Sequence, residues 1–257
     1  MNALRLGSIE ELGFSSVLSD LDGIVYRGED AVPGAVARFN RWERAGIPYC
    51  FVTNNAEKAP DAFAEKIRSL GIACQAGQVV TSGDITLDHV RKHYTVGSGL
   101  YVIGTTAFKD RVVSAGYELV ETAAAAVLVA LDRSFNYAMM KTALDNVLGG
   151  ARLIGTNPDL IRPLADGFEP GAGAIAQSIA VASGATPIFM GKPDPTIMLT
   201  ALARIGAAAE EAIMIGDKLD TDILAGQAAG VRAVFVETGV PLDSRSDVTP
   251  DYILASL

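Results

Sequence analysis

The stretch that decides how the chain folds is Ser16-Val-Leu-Ser-Asp-Leu-Asp-Gly-Ile-Val-Tyr26. Val17 and Leu18 open an apolar run that Asp20, Asp22 and Gly23 then end. Strand residues two apart point to the same face. Two carboxylates so placed repel each other unless a cation or a chemical task offsets the repulsion. Two readings of Asp-x-Asp-Gly stand at this point: a polar turn after a buried strand, or a pair of working acids.

The pattern around this stretch is strand–helix–strand–helix. Ser15–Ser19 is the expected first strand, residues 1–13 a polar lead-in with one helical turn, and Gly23 to Asp30 a loop. Pro33 fits the first turn of a helix, where its missing N–H costs nothing. Val36, Phe39 and Trp42 follow at helical spacing, and Gly46 closes that helix. Ile47–Val52 predicts a second strand, followed directly by Thr53-Asn54-Asn55. Pro60–Leu70 predicts a helix ended by Gly71. This alternation belongs to a parallel sheet covered by helices.

Residues 81–187 hold a second αβ series, long enough for a domain of their own. Helices are expected over Asp84–His93, Ala107–Ala115, Tyr137–Leu148 and Ala172–Ser183. Strands are expected over Tyr101–Ile103, Val127–Ala130 and Leu153-Ile154, the last leading into Thr156-Asn-Pro-Asp159. The run Ala123–Ala126 fits a helix or the approach to a strand. The first pattern then resumes. Ile188-Phe-Met190 precedes Gly191-Lys-Pro-Asp-Pro195, where Asp194 suits an N-cap and Pro195 a first helical position. That helix stops at Gly206. Ile213-Met-Ile215 is a strand ending in Gly216-Asp-Lys-Leu-Asp-Thr-Asp222. A helix from Asp222 to Ala229, a strand over Ala233–Val236 and a last short strand at Ile253 complete the chain.

Composition narrows the function. Of 257 residues, 49% are hydrophobic and 20% charged, which suits a buried core and not disorder. The formal charge of −9 argues against a nucleic-acid or anionic-membrane surface. An anionic small substrate is still compatible, because a metal and helix N-termini reverse the local field. Cys50 and Cys74 alone make no disulfide framework. The longest apolar candidate, Thr122 to Leu131, is too short for a membrane span, and the first residues lack a signal peptide's apolar core. A soluble cytoplasmic protein is expected.

Four stretches share one property: each follows a strand at once with polar residues. They are Asp20/Asp22, Thr53-Asn54, Lys192 and Asp217/Asp222. In an open parallel sheet such positions lie along the carboxyl edge, where ligands bind. Acids with oxygen donors only, and no His or Cys close in sequence, suit a hard cation such as magnesium. Magnesium, an ammonium and a hydroxyl at one point are what a phosphoryl group in transfer needs.

These four motifs, in this order, resemble the haloacid dehalogenase (HAD) superfamily, within it the NagD-like, nitrophenylphosphatase branch with a C2-type (type IIA) cap. Asp20-Leu-Asp-Gly-Ile-Val is similar to the first motif, Val52-Thr-Asn-Asn to the second, Gly191-Lys-Pro-Asp-Pro to the third and Gly216-Asp-Lys-Leu-Asp-Thr-Asp222 to the fourth. The resemblance covers nearly the whole chain, with no departure at the core motif positions. It implies an α/β fold: a Rossmann-like parallel-sheet HAD core over residues 1–80 and 188–257, with an inserted α/β C2 cap over 81–187. It implies a magnesium-dependent phosphomonoester hydrolase for a small metabolite such as a sugar phosphate, a nucleoside monophosphate or phosphoglycolate. Asp20 would attack phosphorus and form an aspartyl-phosphate, with Asp22 as general acid and base. Magnesium would be held by Asp20, the main-chain carbonyl of Asp22, and Asp217, with Asp222 orienting that shell or binding through water. Thr53 and the backbone N–H of Asn54, with Asn55 beside them, would hold phosphate oxygens, and Lys192 would neutralise Asp20 and the phosphoryl charge. A homodimer through the cap is also implied.

The position of the insertion is legible without the resemblance. Too few residues separate Asp22 from Pro33 for a domain, so the long insertion follows the second strand–helix unit. A cap over the carboxyl edge excludes water and reads the leaving group. Candidate readers are Asp132-Arg133, Asn157, Asp159 and Glu169-Pro-Gly-Ala-Gly173. Arg133 meets a second anionic group of the substrate or is a surface cation; both readings stand.

Weaker signals have plainer explanations. His89 and His93 sit four apart but lack a His-Glu-x-x-His pattern and a third ligand. Val96-Gly-Ser-Gly99 and Gly171-Ala-Gly173 are not dinucleotide fingerprints. Trp42 reads as core, and Asp220 as a solvated helix-start acid. A dehalogenase needs neither Asp22 nor Asp217. A phospho-receiver has about half this length, and a non-catalytic phosphometabolite binder would not need every core motif residue.

Overall fold

The computed structural model describes residues 3–164, 167–237 and 247–257. Residues 1–2 of the expected lead-in, 165–166 and 238–246 lie outside the described residues. In chain order the first strands are β1 (Leu4–Leu6), β2 (Ser16–Ser19), β3 (Tyr26–Arg27) and β4 (Asp30–Ala31). Helix α1 (Ala35–Ala45), β5 (Tyr49–Thr53), α2 (Pro60–Ser69) and β6 (Val79–Thr81) follow. Then come α3 (Ser82–His93), β7 (Gly99–Ile103), α4 (Thr106–Ser114), β8 (Glu118–Leu119) and β9 (Ala126–Val129). Next are α5 (Tyr137–Leu148), β10 (Arg152–Gly155), β11 (Ile161–Leu164), β12 (Gly167–Pro170), α6 (Ala172–Ser183) and β13 (Ile188–Phe189). Last are α7 (Thr196–Ile205), β14 (Ala212–Gly216), α8 (Leu224–Ala228), β15 (Arg232–Val236) and β16 (Tyr252–Leu254).

The chain divides into two compact units. One comprises residues 1–53, 60–80 and 192–257; the other comprises 54–59 and 81–191. The first unit carries a seven-stranded sheet in the order β1-β16-β15-β14-β2-β5-β6. The pairings of β2 with β14 and β5, and of β15 with β14 and β16, are parallel. Central parallel strands are covered on both faces, which is why β14 and β15 read as almost unbroken apolar runs. Phe39 and Trp42 of α1 are buried with their rings edge to face at 5.0 Å, and Phe39 also meets Tyr49 and Phe51 of β5. Each such fully buried side chain contributes roughly 1.5–3 kcal/mol. Gly46 ends α1 in the left-handed conformation, φ +69, and its N–H caps the Trp42 and Glu43 carbonyls.

The second unit has a five-stranded sheet in the order β13-β10-β9-β7-β8, parallel throughout, and an antiparallel hairpin of β11 and β12. Helices α3, α4 and α5 start where side-chain oxygens satisfy free N–H groups. Thr81 and Asp84 form a capping box on α3, Thr105 accepts from Phe108 N–H on α4, and Asn136 accepts from Ala138 and Met139 N–H on α5.

Several expectations need correction. The lead-in contains β1, paired with β16, before a 3-10 turn at Ile9–Leu12. The expected loop after Gly23 holds the β3–β4 hairpin. Helix α1 begins two residues beyond Pro33, because Gly34 at φ +88 stands at its N-cap. Asp194 does supply a capping bond, to Thr196 N–H at 2.9 Å, but Pro195 rather than Asp194 occupies the cap. Ile188–Phe189 pairs with Ile154–Gly155 in the second sheet, so the chain leaves that sheet only after residue 189. The helix expected from Asp222 is a wide π-turn, Leu219–Ile223, that passes into α8. The alanine run ends as β9, with Ala123 at φ +57. No helix among the described residues is long and apolar enough to cross a membrane.

Cys74 is buried, and burial pushes its thiol up to about 12. The thiolate is the nucleophile, so alkylation of the folded protein at pH 8 should run about 10³-fold slower than for a free cysteine. Iodoacetamide trapping with and without denaturant measures this; reaction of the folded protein at the free-thiol rate would disprove the burial.

Candidate active site

Three neighbouring strands of the first unit end together. Strand β2 lies between β14 and β5, with Ser19 opposite Ile215 and Phe51. The Asp20 N–H donates to the Ile215 carbonyl at 2.9 Å, so Asp20 leaves the sheet beside Gly216-Asp217. Thr53 is the last residue of β5 and is buried. Lys192 stands four residues before α7.

Lys192 gathers the acids. Its Nζ donates to Asp20 Oδ1 at 2.6 Å, pairs with Asp222 Oδ1 at 2.7 Å and donates to the Val52 carbonyl at 3.2 Å. The wide turn at Leu219–Ile223 lets Asp222 reach backward, and its Oδ2 accepts the N–H groups of Asp217 and Lys218, both at 3.1 Å. One carboxylate oxygen from each of Asp20, Asp217 and Asp222 lies within 4.8 Å of the others. All four side chains are buried; Lys192 is 2% exposed.

Two glycines make room for this cluster. A Cβ on Gly23, which has φ +86, would fall 2.1 Å from Asp217 Oδ2. A Cβ on Gly216 would fall 2.2 Å from the Asp222 Cβ. Real contacts are never so short, so both positions need glycine for the acids to sit where they do.

The electrostatics follow from crowding. Burial pushes the Asp20 carboxyl well above its usual range, with Asp222, Asp217 and Asp22 adding to the rise and Lys192 opposing it. Burial, then Asp222, push Asp217 up to about 7. Burial works against the Lys192 charge, but Asp20 and Asp222 outweigh it and hold the ammonium above its ordinary value. Three buried carboxylates thus face one ammonium. Asp217 Oδ1 is buried with no hydrogen-bond partner among the described residues. A buried acceptor left without a partner, beside other carboxylates, costs free energy that a cation removes. The donors are all oxygens at hard-ligand spacing. The residues fit a divalent cation of the magnesium type.

The other expected site residues divide between the two units. Asp22 follows Asp20 by two residues, but its side chain is exposed. Asn54, Asn55 and Arg133 belong to the second unit. Asn55 Oδ1 accepts the Glu57 N–H at 2.8 Å, a local turn. The Arg133 guanidinium grips both Glu169 oxygens, at 2.7 and 2.9 Å, and also bonds Glu57. Glu169 and Glu57 hold that guanidinium above its ordinary value. Arg162 joins the same group through Glu57 at 2.6 Å and Glu169 at 3.4 Å. His89 and His93 stack at 4.3 Å on α3. Among the described residues the one group of three or more potential ligands is Asp20, Asp217 and Asp222.

Comparison with known proteins fits this geometry. Residues 17–118 match a family described as haloacid dehalogenase-like hydrolase, and residues 189–257 match a HAD-hydrolase-like family. The acid sugar phosphatase of Staphylococcus aureus (strain MRSA252) is 36% identical over 228 residues, 88% of each chain. The chain belongs to the haloacid dehalogenase-like hydrolases. Within this family it is a NagD-like phosphatase. NagD from E. coli K-12 is 33% identical with a TM-score of 0.85, covering 95% of this chain and 97% of NagD. A double mutant of the thermostable NPPase from Geobacillus stearothermophilus is 36% identical with a TM-score of 0.87, covering 95% and 96%. The architecture is accordingly the Rossmann-like α/β fold of HAD-like hydrolases.

Reading the sequence as a HAD-like hydrolase still misses several residues of consequence. Glu57 and Arg162 organise Arg133, yet they sit 76 and 29 positions from it and no local pattern joins them. Gly23 and Gly191 are visible in the motifs, but the atoms they admit are not. A Cβ on Gly191 would fall 2.4 Å from Asn54 Oδ1.

Proposed function

We propose that this phosphatase is a magnesium-dependent phosphomonoesterase acting on a small sugar phosphate through a phosphorylated aspartate. The observation that carries the reading is Lys192 bonded between Asp20 and Asp222, beside an Asp217 Oδ1 that has no hydrogen-bond partner among the described residues. The acid sugar phosphatases among the relatives support the sugar-phosphate class; a nucleoside monophosphate or phosphoglycolate is compatible with the same chemistry. In this reading the unit of residues 1–53, 60–80 and 192–257 is the catalytic core and that of 54–59 and 81–191 the specificity cap, so the expected return to the core at 188 moves to 192.

Asp20, Asp217 and the Asp22 carbonyl would hold magnesium, with Asp222 orienting that set through Lys192 and the backbone. The cation would supply neutralising charge for the phosphoryl oxygens. Asp20 attacks phosphorus, forming a carboxylate O–P bond as the bond to the leaving oxygen breaks. Asp22 gives that oxygen its proton, then takes one from the water that attacks the phosphorylated Asp20, releasing phosphate. Exposure of Asp22 suits it to exchange protons with solvent. Thr53 and the Asn54 N–H hold phosphoryl oxygens, Asn55 shapes the loop behind them, and Lys192 offsets the negative charge. Arg133 would meet a second anionic group with the N–H donors that Glu57 and Glu169 leave over. A cytoplasmic location and a homodimer through the cap belong to the same reading.

The test is phosphate release from p-nitrophenyl phosphate and a panel of sugar phosphates. Activity should fall to background in EDTA and return with added magnesium. Release that persists in EDTA would overturn the metal assignment.

A further inference from the structure

Asn157 and Asp159 were expected among the groups that read the leaving group. Their bonds point elsewhere. Asn157 Nδ2 donates to the Asn54 carbonyl at 2.6 Å. Ser82 Oγ donates to the same carbonyl at 2.7 Å. Asn54 Nδ2 donates to Asp159 Oδ2 at 3.1 Å. Asn157 Oδ1 in turn accepts the Asp159 N–H at 3.1 Å, which leaves its amide one orientation that satisfies both ends. All these residues belong to the second compact unit. Asn157 is 7% exposed and Ser82 fully buried, so water competes little for their two bonds to the Asn54 carbonyl, while Asn54 and Asp159 are half-buried.

The backbone behind them is fixed as tightly. Gly173 N–H donates to the Asp159 carbonyl at 3.0 Å, and Gly171 N–H to the Leu160 carbonyl at 2.9 Å. A Cβ on Gly173 would fall 2.2 Å from the Pro158 carbonyl oxygen, and one on Gly171 would fall 2.1 Å from that of Asp159. The start of α6 is therefore pressed against residues 157–160. Gly191 closes on the Asn54 amide from its other side.

We infer that Asn157 and Asp159 are positioning residues that hold the phosphate-binding N–H of Asn54, and that they do not read the leaving group; this rests on the proposed role of Thr53 and Asn54. The reason is stereochemical. The Asn54 side chain and carbonyl are both tethered, so two substituents of its Cα are fixed. Chirality then fixes the third, the amide nitrogen. A displaced oxyanion donor loses transition-state stabilisation whichever alcohol is leaving, and a misplacement of about 1 Å costs about 10²-fold.

The test compares Asn157→Ala, Asp159→Ala and Asp159→Asn in the full chain. Asn157→Ala and Asp159→Ala should lower kcat about 10²-fold, by the same factor on p-nitrophenyl phosphate and on a sugar phosphate. Asp159→Asn keeps an acceptor for Asn54 Nδ2 and should recover most of the rate. Amide hydrogen exchange at Asn54 and Asn55 should quicken in Asn157→Ala, a readout that needs no turnover. Losses that differ tenfold between the two substrates would make these residues readers and overturn the inference; so would unchanged exchange in Asn157→Ala. Should Asn157→Ala not fold, Ser82→Ala removes the other donor to the same carbonyl and carries the same expectations. A wild type that hydrolyses no phosphomonoester, with quickened exchange in the variant, would sink the proposed function and leave the tether standing.

Discussion

Asp20→Asn should abolish turnover and leave the protein folded. Asp20 follows directly on the interior strand β2 and accepts from Lys192 Nζ at 2.6 Å. An amide at this position keeps an oxygen to accept from Lys192, so the hydrogen-bond geometry survives. It removes the negative charge and with it the nucleophilic oxygen that must bond to phosphorus. Deleting a nucleophile in a coupled catalytic unit costs on the order of 10⁵–10⁶-fold in kcat. Stability should move the other way. The Asp20 carboxyl is pushed upward by burial and by three nearby acids, so the ionised form is the strained one. Replacing it with a neutral isostere relieves that repulsion, and the melting temperature in EDTA should equal or exceed the wild type's. Steady-state turnover of p-nitrophenyl phosphate and calorimetry in EDTA measure the two effects. Turnover within tenfold of wild type would show that another group attacks phosphorus. A large fall in melting temperature would show that the Asp20 charge is needed to hold Lys192.

How far this arrangement was legible in the sequence depends on the range of each interaction. The strand-end motifs are local: an apolar run, then acids or hydroxyls, then glycine. They could be placed on β2, β5 and β14 because strand and helix alternate with the periods that sheet and helix impose. Tyr137–Leu148 was expected at its observed bounds, whereas the helices capped by Thr81 and Thr105 begin two residues and one residue before their expected starts. Edge elements were missed for the opposite reason. Leu4–Leu6 is three residues with a central arginine, and only its register with Tyr252–Leu254 makes it a strand. Val79–Thr81 and the Tyr26–Ala31 hairpin are as short. The wide turn before α8 was unreadable because Asp222 looks like an ordinary first-turn acid until its carboxylate is seen bonding backward. The tether on Asn54 joins residues 103 and 105 positions apart. No window of sequence contains both ends, so Asn157 and Asp159 read as free polar groups.

Lys192→Met is expected to be the most destabilising single change in the cluster. Methionine matches the length of the lysine stem, so packing is roughly kept and the loss is electrostatic. Without the ammonium, Asp20 and Asp222 lose a cation that both contact, and Asp217 stands nearby with an oxygen that has no hydrogen-bond partner among the described residues. Removing one member of a buried ion pair costs about 3–5 kcal/mol, because the stranded charge keeps its desolvation penalty. Urea melts in EDTA measure this. A second substitution identifies the cause. Asp222→Asn removes the negative charge that faces Lys192 while retaining an acceptor for the Asp217 and Lys218 N–H groups. If stranded charge is what destabilises Lys192→Met, adding Asp222→Asn should restore part of the loss, with a coupling of about 0.5–3 kcal/mol. Magnesium should narrow the same gap, since it neutralises the acids that Lys192 no longer does. Turnover should stay low in every Lys192 variant even with magnesium, because the ammonium also opposes charge on the transferring phosphoryl group. Additive losses in the double variant would mean that a stranded Asp222 charge is not what destabilises Lys192→Met.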